Sequence, residues 1–408
     1  MSIISSIISN YASFREARLK DRFFKWKDLD PLILSRKNFT VREAGRSAEG
    51  RPISLLSRGS GPVKVFLWSQ MHGNEATGTM ALFDLFNFLD QEDFREVADR
   101  ILERCTLYFM PMVNPDGAER FSRLNAQNLD INRDFIRQQS PEGRLLRRIR
   151  DEIRPDFGFN LHDQSVLWSA GHTGNPATIS LLAPASDAEL SITDVRKRAM
   201  QVIAGINEAI QPMIPGHVGL FDDEYEPRAF GDNFQAAGTS TILIEAGGYH
   251  HDPEKQFIRR VYFASILAGL TGIAGEAYVH TPLTAYFGIP VNRKVHFSIL
   301  IREAQLEFNG TRFTADIGIN AVEQVLEDRN GVICDYILEE LGDLTGRFGY
   351  EEHHAGSCTV LFPRPPEVGK AADLILQDGP DTILSLENGR ISTKTSNLSA
   401  ERSRTRGV

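Results

Sequence analysis

His72-Gly73-Asn74-Glu75 and, further along the chain, Leu161-His162-Asp163 each follow an apolar run. Together they offer two imidazoles and one carboxylate to a single divalent cation, a donor set suited to zinc. A catalytic zinc keeps three protein ligands and leaves one position for water, whereas a closed structural site draws on several cysteines. Cys105, Cys334 and Cys358 stand too far apart for that. Gly73 removes the side chain that would obstruct a turn directly after the first run, so His72 and Glu75 can grip one ion. A site of this charge lowers the pKa of water toward about 7, which suits attack on a carbonyl near neutral pH. A His-x-x-Glu pair alone is a weak signal, so its weight comes from the elements that carry it.

Those elements repeat one grammar. Val63 to Trp68 is a buried-strand pattern running almost straight into His72, and Ala76 to Leu89 carries apolar residues at helical intervals. Leu107 to Val113 ends at Asn114, Phe157 to Leu161 ends at His162, and Thr241 to Ile244 ends at Glu245. In open α/β sheets ligands bind beyond the carboxyl ends of the strands, so residues at such stops converge on one crevice. The expected fold is α/β, a mixed and mostly parallel sheet flanked by helices, with two edge strands near Phe39–Glu43 and Ile53–Leu56. After Thr281 short strand-like segments take over, among them 295–301, 305–308, 311–315, 359–362, 372–376 and 382–386. The expected division is an N-terminal helical segment at 1–38 packed on a catalytic domain at 39–281, a β-rich accessory domain at 282–392, and a polar tail at 393–408.

At 408 residues the chain exceeds what one core supports, which also argues for two domains. Its net charge of −9 and interspersed lysines and arginines exclude a basic stripe for nucleic acid. An odd number of cysteines at wide spacing fits a reducing compartment, and a cytoplasmic location is expected. Ile3, Ile4, Ile7 and Ile8 suggest an amphipathic helix, but no basic leader precedes them, and its polar face of serine and asparagine does not suit a membrane surface.

The residues around these stops resemble the zinc metallocarboxypeptidase family typified by carboxypeptidase A, over about Gly45 to Gly248. The likeness runs through Gly45-Arg46-Ser47-Ala48-Glu49-Gly50-Arg51-Pro52-Ile53, His72-Gly73-Asn74-Glu75, Asn114-Pro115-Asp116-Gly117, Arg123 and Asp130-Ile131-Asn132-Arg133-Asp134-Phe135, then His162 and Glu245. The resemblance implies one zinc per chain held by His72, Glu75 and His162. It implies that Arg133, assisted by Asn132, binds a terminal carboxylate through paired hydrogen bonds. Arg123 would stabilise the developing oxyanion, and Glu245 would be the general base. Tyr225 is the candidate for the family's mobile-loop tyrosine, and specificity is expected from a pocket near Arg228, Phe230 and Asp232, with Arg228 a candidate for selecting acidic side chains.

The expectation is hydrolysis of carboxyl-terminal peptide bonds by zinc-activated water. A related branch, succinylglutamate desuccinylase and aspartoacylase, shares similar motifs, which leaves N-acyl amino acids as alternative substrates. Murein peptides are a further alternative. A noncatalytic recognition protein on the same scaffold would normally lack a ligand or the base, and none is missing here.

Overall fold

The computed structural model describes residues 3–326, 331–356 and 358–394. It divides into two compact units, one of residues 1–171 and 175–293, the other of 172–174 and 294–408. The first unit therefore runs twelve residues past the expected boundary at 281. The reason is local: the helix Leu283–Phe287 buries Tyr286, whose hydroxyl accepts from the Ala183 backbone N–H at 3.3 Å. Of the expected tail at 393–408, only Thr393 and Lys394 lie within the described residues, where they end a strand.

The first unit is built on an eight-stranded sheet. Its strands are β1 (Thr40–Arg46), β2 (Pro52–Arg58), β3 (Val63–Ser69), β4 (Cys105–Met110), β5 (Phe157–Asp163), β7 (Ile179–Leu182), β8 (Val218–Leu220) and β9 (Ser240–Ala246), with the short β6 (Trp168–Ala170) outside it. Their order is β1-β2-β4-β3-β5-β9-β7-β8. The four central strands β4, β3, β5 and β9 are parallel, and the pairs β1/β2, β2/β4 and β7/β9 are antiparallel. From β3 the chain moves to one side to form β4 and then to the other to form β5. That reversal opens a crevice at the carboxyl ends of β3 and β5, the place where such sheets bind ligands.

Strand β3 shows why these residues form a central strand. Val65 and Leu67 face one core cluster, and Phe66 and Trp68 face another, all four with no exposed surface. A strand covered on both faces reads as a continuous apolar run rather than an alternation. The first cluster is closed by α3 (Thr77–Phe88), α7 (Asp194–Ile210) and α9 (Gln256–Ala274), the second by α6 (Pro141–Ile153) and α8 (Phe230–Ala236). Remaining helices of this unit include α1 (Ile3–Ser9), α2 (Trp26–Leu34), α4 (Arg95–Arg104) and α5 (Pro115–Ala118). Helix α9 is long and apolar enough to cross a membrane, yet 72% of that stretch is buried inside the protein.

The N-terminal segment joins the same core through Ile4, Ile7, Ile8, Tyr11 and Phe14. It is fastened by a buried ion pair. Arg259 of α9 meets Asp84 of α3 at 2.5 Å with neither side chain exposed, Tyr11 donates to Asp84 at 2.5 Å, and Arg259 also reaches the carbonyls of Glu16 and Leu19. Every polar atom of the pair thus has partners, as burial of charge demands.

The second unit is β-rich, with two four-stranded sheets. The longest strands, His296–Phe308 and Thr311–Val325, form a hairpin turning at Asn309-Gly310, both with positive φ, the geometry that favours Asn-Gly. The expected breaks at 301–305 and after 315 are absent. A register irregularity between Ile301 and Ala304, with Glu303 at positive φ, interrupts the pattern without ending the strand.

Candidate metal and substrate site

The loop after β3 is shaped before it reaches His72. Gln70 adopts a left-handed conformation at φ 51° and is fully buried, and its side-chain amide donates to the Gly73 carbonyl at 2.9 Å. Gly73 itself sits where a Cβ would come 2.0 Å from the carbonyl carbon of Gly117. Close backbone approach of another segment is therefore what requires glycine, more than the turn alone.

That other segment is Asn114-Pro115-Asp116-Gly117. Asn114 caps its own turn by accepting from Gly117 N–H at 2.8 Å, and Asp116 is buried while accepting from Ser47 Oγ at 2.7 Å, Glu49 N–H at 2.8 Å and Arg51 at 2.6 Å. The motif braces the loop that carries Arg123 against the loop that carries His72. Ser47, Glu49 and Arg51, in the first stretch of the family likeness, tie into the same brace.

Three donors then meet. His72 Nδ1 lies 2.7 Å from Glu75 Oε1, and His162 Nδ1 lies 2.7 Å from Glu75 Oε2. All three residues are buried, and their ligand atoms lie within 4.8 Å of one another. His72 Nε2 faces Asp130 Oδ1 at 3.0 Å, the arrangement that orients a metal-ligating imidazole from its far side. His162 Nε2 is buried with no hydrogen-bond partner. Two imidazole nitrogens turned toward the two oxygens of one carboxylate form a donor set that fits zinc.

The charges respond to this crowding. Burial alone would raise the Glu75 carboxyl, but the two adjoining imidazoles overcome it and hold it well below the usual range. Burial alone would lower His72, yet Glu75 and Asp130 raise it, whereas burial prevails for His162 and lowers it.

Glu245 ends β9 directly beside His162, its register partner on β5. It is 7% exposed, its Oε2 has no partner, and burial, followed by the charges of Glu75 and Asp163, pushes its carboxyl well above the ordinary value. Such a carboxylate takes up a proton readily. Asp163 does not touch an imidazole through its side chain. It accepts from Thr77 Oγ1 at 2.7 Å and pairs with the buried Lys255 at 3.1 Å, while its backbone N–H donates to Glu75 at 3.2 Å.

These groups line one cavity of about 430 Å³ together with Arg123, Asn132, Arg133 and Tyr225. Arg123 grips Asp130 through Nε and Nη2 and reaches Glu75 at 3.1 Å. The Asn132 side-chain oxygen accepts from Phe230 N–H at 2.9 Å, which starts helix α8 and leaves the amide NH2 as the group able to donate to a ligand. Arg133 pairs with Glu226 at 3.1 Å. Arg228 departs from expectation: it is absent from the cavity lining, more than half exposed, and tied through Nε and Nη2 to Glu226. Its proposed selection of acidic side chains has no support in this placement.

Sequence reasoning missed the roles of Asp130 against His72, Lys255 against Asp163, and Asn160 and Glu226 on the cavity wall, whereas Asp232, expected near the specificity pocket, does line the cavity. Asn160 was accessible to it, since it stands two residues before His162 on a strand and so shares its face.

Residues 32–184 match the zinc carboxypeptidase family. The chain is 29% identical over 219 residues to probable carboxypeptidase 2 of Arthroderma benhamiae, covering 50% of this chain and 38% of that protein. It is 32% identical over 127 residues to carboxypeptidase SOL1 of Arabidopsis thaliana, covering 28% of this chain and 26% of that one. The chain thus spans well under half the length of these curated relatives. The crystal structure of carboxypeptidase A from Helicoverpa armigera is similar with a TM-score of 0.49 and 16% identity, over 68% of this chain and 79% of that chain.

Proposed function

We propose, on the match of residues 32–184 to the zinc carboxypeptidase family, that this protein is a zinc-dependent metallocarboxypeptidase that removes the carboxyl-terminal residue of peptides. The observation that carries this reading is the facing of His72 Nδ1 and His162 Nδ1 across the two oxygens of Glu75, at 2.7 Å each, in the cavity that also holds Glu245 and Arg133.

His72, Glu75 and His162 would hold the zinc, which when bound supplies a Lewis acid and lowers the pKa of water. Arg133 would bind the substrate's terminal carboxylate, with the NH2 of Asn132 as a second donor. In the free protein Glu226 engages one edge of that guanidinium. Arg123, which already donates to Glu75, would donate to the carbonyl oxygen as charge develops on it. Glu245 would accept the proton of the attacking water and deliver it to the leaving nitrogen, a role suited to a buried carboxylate with a raised pKa. Tyr225, on the loop lining the cavity, would cover the bound end of the peptide.

The test is amino-acid release from blocked dipeptides by protein carrying stoichiometric zinc. Release that disappears when the terminal carboxyl is amidated is the expected result. Failure on a broad panel, or turnover only of N-acyl amino acids lacking a peptide bond, would overturn the reading.

A further inference from the structure

Lys255 goes against three local preferences at once. It precedes α9 in a left-handed backbone conformation, φ 51°, that few residues other than glycine adopt. It puts a cation at a helix N-terminus, where the helix dipole favours an anion. Its side chain is only 5% exposed, although burying a charge is costly. Capping of α9 does not require it, since Asp252 accepts from the backbone N–H of Gln256 at 2.8 Å and of Ile258 at 2.9 Å. Nor does stability, because a buried ion pair contributes little beyond apolar side chains of similar volume. Departures of this kind gather where function demands them.

What the side chain reaches supplies the reason. Lys255 Nζ donates to Asp163 Oδ2 at 3.1 Å and to the Ala246 carbonyl at 2.9 Å. Asp163 and Ala246 are the last register pair of β5 and β9, one step beyond His162 and Glu245. The ammonium therefore bridges both members of the final rung. The Ala246 carbonyl also accepts from Gln164 N–H at 2.9 Å, and the chain then leaves the sheet through Gly247-Gly248. A strand end that runs into glycines is where a ladder opens first. Tyr262, further along α9, donates to the Ile244 carbonyl at 2.6 Å, so the carbonyls on either side of Glu245 are both held from this one element and its lead-in residue. Asp163 extends the brace toward the metal side, accepting from Thr77 Oγ1 while its backbone N–H donates to Glu75. Lys255 itself does not line the cavity.

Resting on the carboxypeptidase reading, we propose that Lys255 is a positioning residue, which from behind the cavity locks the end of β9 that carries Glu245 to the end of β5 that carries His162. Without the lock, Arg133 and Asn132 still face the substrate, but Glu245 loses its fixed place beside the ligands. The loss therefore falls on turnover rather than on binding, since misplacement by about 1 Å can cost about 100-fold.

The experiment uses the zinc-loaded full chain carrying Lys255→Met, alone and combined with Asp163→Asn. The double variant strands no carboxylate, so it keeps the test open where the single variant fails to fold. Hydrolysis of a blocked dipeptide, zinc content and exchange of the Gln164 amide hydrogen are measured on each. In the double variant kcat is expected to fall by about 10- to 100-fold with KM within about twofold and zinc still stoichiometric. The Gln164 amide should exchange about tenfold faster or more, because it donates across the final rung. Asp84→Ala, which strands a buried charge elsewhere between α3 and α9, is the control and should keep kcat within about twofold. An undiminished kcat in the double variant would reduce Lys255 to a counter-ion of Asp163 and overturn the inference. So would a loss confined to KM, a loss matched by loss of zinc, or an equal fall in the control. An unchanged Gln164 exchange rate would overturn it independently of activity. Failure of the unaltered protein on every blocked dipeptide would instead overturn the carboxypeptidase reading, and the exchange measurement would still decide whether the lock exists.

Discussion

Asp130 holds His72 on one oxygen and Arg123 on the other: Oδ1 lies 3.0 Å from His72 Nε2, and Oδ2 accepts from Arg123 at 3.0 and 3.1 Å. One carboxylate therefore sets both the ring orientation of a candidate ligand and the position of a candidate oxyanion donor. Burial works against its charge, but His72 and Arg123 prevail and hold the Asp130 carboxyl far below its ordinary value.

Asp130→Ala should weaken zinc binding by about 10- to 100-fold, the usual cost of removing a group that orients a ligating histidine. Competition with a chelator of known affinity measures it. Unaltered affinity would show that His72 is oriented by its loop alone.

Glu245→Gln should bind zinc at full stoichiometry while kcat falls by about 10²- to 10⁴-fold, the range expected for losing a positioned general base. Metal analysis and steady-state kinetics on the same preparation separate the two effects. An undiminished kcat would remove Glu245 from the proton transfer.

Stability should depend on pH through Asp232. Its carboxyl titrates near 6 in the folded protein against about 3.9 in an unfolded chain, so the folded state holds this proton more tightly. The resulting stabilisation is complete below about pH 4 and is lost as pH rises through about 6. Asp232→Asn stays uncharged throughout. It should match the unaltered protein at about pH 4 and be more stable by about 2–3 kcal/mol at about pH 8, read by urea unfolding. Parallel curves across that range would contradict the assignment.

Asp84→Ala should destabilise the first unit by about 3–5 kcal/mol, because it strands the Arg259 charge in the core. Asp84→Ala combined with Arg259→Met should recover much of that loss, since an apolar replacement removes the stranded charge. A denaturant series on the single and double variants tests this. Additive losses would show that the two side chains do not act as a pair.

The central strands and the residues at their ends were legible in the sequence because a strand buried on both faces leaves an unbroken apolar run, as Phe66-Leu67-Trp68 does. The donors His72, Glu75 and His162 were legible for the same reason, being anchored to those runs. Arg228 was misplaced because its partner Glu226 stands two residues away in a loop, where neither periodicity nor spacing indicates direction. Asp232 was legible as a pocket residue but its burial was not, because a lone aspartate in a short helix looks like a solvated residue until packing buries it. The first unit extends past 281 because the helix Leu283–Phe287 has too few apolar residues for its pattern to reveal that Tyr286 is buried.

His162 and Glu245 ride on adjacent hydrogen-bonded strands, so the gap between candidate ligand and candidate base is set by the ladder spacing of the sheet, about 4.8 Å, rather than by any loop. Asp232, Gly231 and Tyr225 sit on a helix start and a connecting segment instead. The candidate hydrolytic pair and this part of the cavity wall are thus mounted on different parts of the scaffold. Rewriting residues 221–232 would reshape that wall while the spacing of His162 and Glu245 stays fixed.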